Sequence, residues 1–158
     1  MTAKRSFTIL PFAVLALTAA TLADAAAPPS VTATIAARQA NFKKMGKAMK
    51  ILSDQLKSSA PSQPAMYGAA QVIASNARRQ GRMFPLGTGP GSGVETEALP
   101  AIWTDKADFD AKMRQLVNES TKLVAVTKAG NAAAIGAQLK ATGGTCGACH
   151  RKYRAEDE

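Results

Sequence analysis

Residues 143–158 read GGTCGACHRKYRAEDE, and this stretch holds the only histidine of the 158-residue chain, His150, directly behind its only two cysteines, Cys146 and Cys149. Three residues of two scarce types within five positions are not ordinary core filler. On a helix, Cys146 and Cys149 are three apart and His150 lies four beyond Cys146, so all three project from one side within a single turn. The stretch therefore predicts a helix that ends in a site, and the fold question becomes what packs against it.

Working back from this end, Tyr153, Cys149, Cys146, Thr142, Leu139 and Ile135 recur every three or four residues up to Asn131, an expected N-cap. Gly130 stops the helix before it. That helix carries Phe109, Met113, Leu116 and Leu123 on its inward face. Thr104 is its expected cap, with Asp105 and Asp108 in the first turn, where carboxylates meet the positive end of the dipole. Residues 32–57 place Ile35, Phe42, Met45, Met49, Leu52 and Leu56 on one seam; residues 64–83 place Met66, Ala69, Ala70, Ile73, Ala77 and Met83 on another. Between them and the third helix, FPLGTGPGSGVETEALP at 84–100 reads as a long surface crossover. Strand signals are missing, and Ala, Lys, Gln, Leu and Met dominate. Four amphipathic helices with two short links and one crossover predict an all-α antiparallel four-helix bundle, which builds cofactor sites between facing helices.

The beginning of the chain reads differently. Lys4 and Arg5 precede an apolar run from Phe7 to about Ala20, followed by small residues. This is the pattern of a secretory signal peptide, over 1–25 with cleavage between 25 and 28, leaving the bundle over 28–158. The run falls short of the roughly 20 apolar residues that cross hydrocarbon, and Pro11 interrupts it. No later stretch is apolar enough, so the expectation is a periplasmic protein without a membrane span. Lys and Arg total 20 against 11 Asp and Glu, a formal charge of +9. Such a basic surface favours acidic partners or anionic membrane surfaces. Export, and the lack of interleaved aromatic and basic residues, argue against nucleic acid.

The spacing C-x-x-C-H is the attachment signature of a c-type haem. Two thiols add to the two vinyl groups along one edge of the porphyrin, while a neutral imidazole reaches the iron. Other readings fare worse. A disulfide between Cys146 and Cys149 suits export but leaves His150 unexplained. A thioredoxin-like dithiol needs a sheet before the motif, and zinc needs further ligands of a kind the mature chain lacks. No enzyme site is visible: acids such as Asp54 and Glu119 stand singly, and His150 is already used. The glycosylation triplet at Asn118 falls inside a helix and is discounted.

With this motif on the last of four helices, the chain resembles the class II c-type cytochromes, and within them cytochrome c′. Three stretches carry the likeness: ARQANFKKMGKAMK at 37–50, FPLGTGPGSGVETEALPAIWTDKADF at 84–109, and CGACHRKYR at 146–154. The resemblance implies one haem c bound through Cys146 and Cys149, with His150 as proximal iron ligand. It implies Arg38 and Gln39 near the haem propionates, Arg154 lining the proximal pocket, and a packing role for Trp103. Low-spin electron carriers of the class have methionine where this chain has Phe42, so the resemblance implies five-coordinate, high-spin iron. Met45 and Met49, further along the same stripe, read as core packing. The implied function is redox activity in electron transfer with binding of NO and CO at an apolar distal face, where oxygen is disfavoured. The alternatives are a low-spin, Met-ligated electron carrier and a haem-free thiol oxidoreductase. The expected partners are acidic periplasmic redox proteins, and a homodimer is expected through the outer apolar faces of the first two helices.

Overall fold

The computed structural model describes residues 29–156, so the signal peptide read at 1–25 and its cleavage site lie outside the described residues. Helix α1 spans Val31–Lys57, α2 Gln63–Gln80, α3 Ala101–Thr104, α4 Lys106–Ala129 and α5 Ala132–Tyr153, with a 3₁₀ turn at Gly81–Met83. Three of the four long helices start on a side-chain cap. Ser30 Oγ accepts from the Ala33 N–H at 3.1 Å, Ser62 Oγ from Ala65 at 3.3 Å, and Asn131 Oδ1 from Ala134 at 2.9 Å. Each satisfies an N–H group that has no partner inside its own helix. Gly130 closes α4 at φ 80°, a backbone conformation that side chains rarely adopt.

Two boundaries differ from the sequence reading. Thr104 does not cap the third long helix. Pro100, at φ −55°, is already preset for helix and starts α3, so Thr104 ends that short helix. Asp105 then holds the N-cap place, with its carboxylate bonded to Lys152 at 2.6 Å rather than to helix N–H groups. The second helix gives way to the 3₁₀ turn at Gly81, a weak helix former, with Pro85 just beyond.

The long helices close a ring. α1 packs along α2, α2 along α4 and α4 along α5, while α1 meets α5 more sparingly. α2 turns a small face inward, Ala69, Ala70, Ala74 and Ala77, all buried. Against it pack Met45 and Leu52 of α1, Leu116 and Leu123 of α4, and Ile135 of α5. Each large apolar side chain so buried stabilises the fold by about 1.5–3 kcal/mol. A second cluster, Phe84, Ile102, Phe109, Met113, Cys149 and Tyr153, fills the end of the bundle where the crossover returns. Phe42 packs against both clusters, so it stands at their junction.

The crossover is tied down at both ends. The Leu99 N–H donates to the Tyr153 carbonyl at 3.0 Å and the Ala155 N–H to Glu97 at 2.8 Å, around a single bridge between Ala98 and Arg154. The Trp103 indole N–H is shared between the carbonyls of Phe84 and Pro85, at 3.1 Å each. Among the described residues no helix is long and apolar enough to cross a membrane.

Candidate functional site

Helix α5 presents the sequence-predicted triad as its spacing requires. Cys149 is buried and Cys146 half-buried, and both thiols are free. The Cys146 thiol donates to the Thr142 carbonyl at 3.4 Å. Burial raises the pKa of both, that of Cys149 to about 11. They are therefore protonated at neutral pH, the opposite of the lowered thiol pKa that a dithiol oxidoreductase uses for attack.

Across the seam stands α1. The Phe42 and His150 rings meet edge to face, 6.1 Å apart and 75° inclined. Antiparallel register follows along the two helices. A Cβ placed on Gly143 would come within 3.5 Å of Met49 Cε, and one on Gly136 within 4.0 Å of Leu56 Cδ1. Phe42, Met49 and Leu56, seven residues apart, thus face His150, Gly143 and Gly136, also seven apart. Glycines at two of these three α5 positions let the α1 side chains approach the α5 backbone.

His150 keeps an exposed side, and no hydrogen bond engages its ring nitrogens. Partial burial lowers its pKa, the Arg154 charge pushes the same way, and Glu97 opposes. The imidazole is accordingly neutral near pH 7, with a lone pair free to ligate. Two unlinked thiols within one turn of a neutral imidazole form a donor set that fits a covalently held porphyrin. Among the described residues, no three His, Cys, Asp or Glu side chains converge to hold a bare metal ion.

Arg38 is buried, only 2% exposed, and its fork is occupied by the crossover. Nη1 donates to Thr88 Oγ1 at 3.0 Å, and Nη2 donates to the Thr88 carbonyl at 2.7 Å and to Thr96 Oγ1 at 2.6 Å. The guanidinium lies 4.7 Å over the Phe84 ring. Desolvation lowers its pKa, yet a guanidinium stays charged, and three of its five donors are engaged. Gln39 is exposed and donates to the Glu95 carbonyl at 3.3 Å. Arg154 forms a short ion pair with Glu97. Its charge acts on His150 from there.

Sequence reasoning did not single out Phe84, Thr88 or Thr96. Phe84 sits between Phe42 at 6.5 Å, Phe109 at 4.9 Å and Trp103 at 6.3 Å, making it the wall behind Phe42. All three residues lie in the Gly- and Pro-rich crossover, which has no periodicity to mark an inward face.

Comparison with known proteins yields one consistent result. A family model described as Cytochrome C' matches residues 33–154. A curated cytochrome c' from Rhodospirillum rubrum is 35% identical over 147 residues, covering 91% of this chain and 95% of its own length. Among solved structures, cytochrome c' from Thermochromatium tepidum aligns with a TM-score of 0.76 at 29% identity, covering 82% of this chain and all of that one. A variant of cytochrome c prime from Alcaligenes xylosoxidans, solved as its nitric oxide complex, aligns with a TM-score of 0.71 at 25% identity, covering 80% of this chain and 97% of that one.

Proposed function

Because this chain belongs to the cytochrome c′ family, whose members bind one covalent haem c, we propose that it is an exported, redox-active haem protein with five-coordinate, high-spin iron that also binds NO and CO. The observation that carries this reading is Phe42, an apolar ring set directly against His150. Bound haem would supply a redox-active iron able to take a diatomic ligand. The chain's own residues do the rest. Cys146 and Cys149 tether the group to α5, and His150 offers neutral imidazole from one side.

With the group held there, Phe42, backed by Phe84, would be the ring that a diatomic has to displace. No hydrogen-bond donor is offered by these two rings, which disfavours oxygen relative to NO and CO. The two unengaged donors of Arg38, with Gln39 beside it on α1, would meet the propionates. The nitric oxide complex of the Alcaligenes protein supports the same ligand class here. Ile51 of α1 and Val72 of α2, 44% and 39% exposed, would contribute to a homodimer contact.

A low-spin carrier would need a thioether opposite His150. Met45 is instead packed in the core, 7% exposed. Met49 lies over Gly143, seven residues from Phe42, which is about 10 Å along a helix.

The test is optical. The protein isolated after export should show a broad high-spin Soret band that responds to CO, and a methionine-to-iron charge-transfer band in the ferric form would overturn the reading. Phe42→Ala should speed CO binding about tenfold, the equivalent of roughly 1.4 kcal/mol of ring displacement. An unchanged rate would remove Phe42 as the gate.

A further inference from the structure

The seam between α1 and α5 has two sides, and the register separates them. On antiparallel helices, the residues that follow a facing pair lie on the same side of the seam. At the pair Phe42 and His150, the preceding residues Asn41 and Cys149 are buried, whereas the following residues Lys43 and Arg151 are exposed. At Met49 and Gly143, Ala48 and Thr142 are buried, whereas Lys50 and Gly144 are exposed. At Leu56 and Gly136, Ile135 is buried and Lys57 exposed. One side of the seam therefore belongs to the core, and the other is open to water.

The open side is basic along its whole length. Lys43, Lys47, Lys50 and Lys57 recur on α1 at steps of three, four and seven residues, and Lys140 and Arg151 line α5 across from them. The one carboxylate on this stripe, Asp54, is already paired with Lys50 at 2.7 Å. Elsewhere the acids neutralise their own neighbourhoods: Asp105 and Asp108 bind Lys152, Asp110 binds Lys106, and Glu119 binds Lys122. Between the two basic rims lie Gly143, Gly144 and Gly147, which carry no side chain to hold a partner off, next to the exposed side of His150.

We propose that this open side of the α1–α5 seam is the docking surface for an acidic one-electron redox protein. The proposal rests on the haem reading above and adds the place and sign of the partner. Charge complementarity selects the occupant, because steered encounter raises association rates when unlike patches face each other. A protein suits the surface better than a lipid bilayer. Of the exposed large apolar residues, Val31 and Ile51 lie on α1, Val72 on α2 and Leu86 in the crossover; they are scattered singly and none is on α5, so no apolar stripe runs along this side to insert into a bilayer.

The experiment uses reduced flavodoxin, an acidic one-electron donor, mixed with the ferric holoprotein across a range of ionic strength. Lys43→Glu/Lys47→Glu/Arg151→Glu should slow the reaction about tenfold at low salt and flatten its salt dependence. Arg78→Glu/Arg82→Glu/Arg114→Glu makes the same change of charge on α2, the 3₁₀ turn after it and α4, and should cost less than about twofold. Carbodiimide cross-linking of the oxidised proteins, mapped by mass spectrometry, should join flavodoxin to Lys43, Lys47, Lys50 and Lys140. Equal losses in the two variants, or cross-links confined to Lys106, Lys122 and Lys128, would overturn the docking surface. So would binding to phosphatidylglycerol vesicles that only the first variant loses, with its flavodoxin rate unchanged. If the wild-type protein carries no haem absorbance, the functional reading falls first and the docking surface with it.

Discussion

Replacing Arg38 with methionine tests what the buried guanidinium does. The substitution keeps most of the stem and removes three charge-assisted hydrogen bonds, to Thr88 Oγ1, the Thr88 carbonyl and Thr96 Oγ1. Such bonds contribute about 1.5–3 kcal/mol each, and the stacking on Phe84, at 4.7 Å, adds about 0.5–2 kcal/mol. Against this, the several kcal/mol that it costs to bury a guanidinium no longer applies. The two sums largely cancel. The Thr88 hydroxyl keeps its bond to the Pro85 carbonyl at 2.8 Å, so it is not orphaned. The Thr88 carbonyl, on a residue only 2% exposed, loses its donor outright, a penalty of about 1–3 kcal/mol. With the loosened Phe84, the expected destabilisation is about 2–3 kcal/mol. Urea unfolding of the holoprotein measures it, and hydrogen exchange locates it: amides between residues 86 and 99 should lose protection first. A loss below about 0.5 kcal/mol with crossover protection unchanged would refute the clamp and leave Arg38 acting on the cofactor alone.

Three further outcomes follow from local structure. Gly89→Ala would set a Cβ 2.7 Å from Trp103 Cζ3 and 2.9 Å from Cη2, against an indole held by two hydrogen bonds. It should cost about 1–3 kcal/mol, visible as a thermal midpoint lowered by several degrees. Gly81→Ala, whose nearest neighbours are ordinary contacts at 3.6 Å, should be neutral or slightly stabilising. Asp108 is held below its ordinary 3.8 by the Tyr153 hydroxyl first and by Lys152 second. A carboxyl whose folded pKa is depressed stabilises the fold above its unfolded pKa and loses that contribution as pH falls through the folded one. Asp108→Asn should therefore be less stable than wild type at neutral pH, and the gap should close as pH falls below the ordinary carboxylate range. A gap that persists in acid would show that the loss is one of packing.

Much of this protein was legible in one dimension because much of it is local. Helix periodicity reports a buried face, and Ile35, Leu52, Ile73, Phe109, Leu123 and Ile135 are all buried as their spacing implied. Gly130 and Asn131 mark a helix end and a helix start within two residues, and both act as expected. The thiols and the imidazole share one turn, so no tertiary contact is needed to bring them together. The cap read at Thr104 failed because Pro100 began a short helix that no apolar stripe announces.

By itself, then, the sequence determined the four long helices, their inward stripes and the grouping of Cys146, Cys149 and His150 on one turn, since each depends on residues a few positions apart. Tertiary structure alone decided that Phe42 faces His150 and that Arg38 reaches Thr88 and Thr96, fifty or more residues away. It also decided that the lysines of α1 and the cations of α5 share one side of one seam. Those pairings depend on how helices are set against one another and on a crossover without periodicity. A pattern that repeats along one helix carries no record of the side chain it will meet on another.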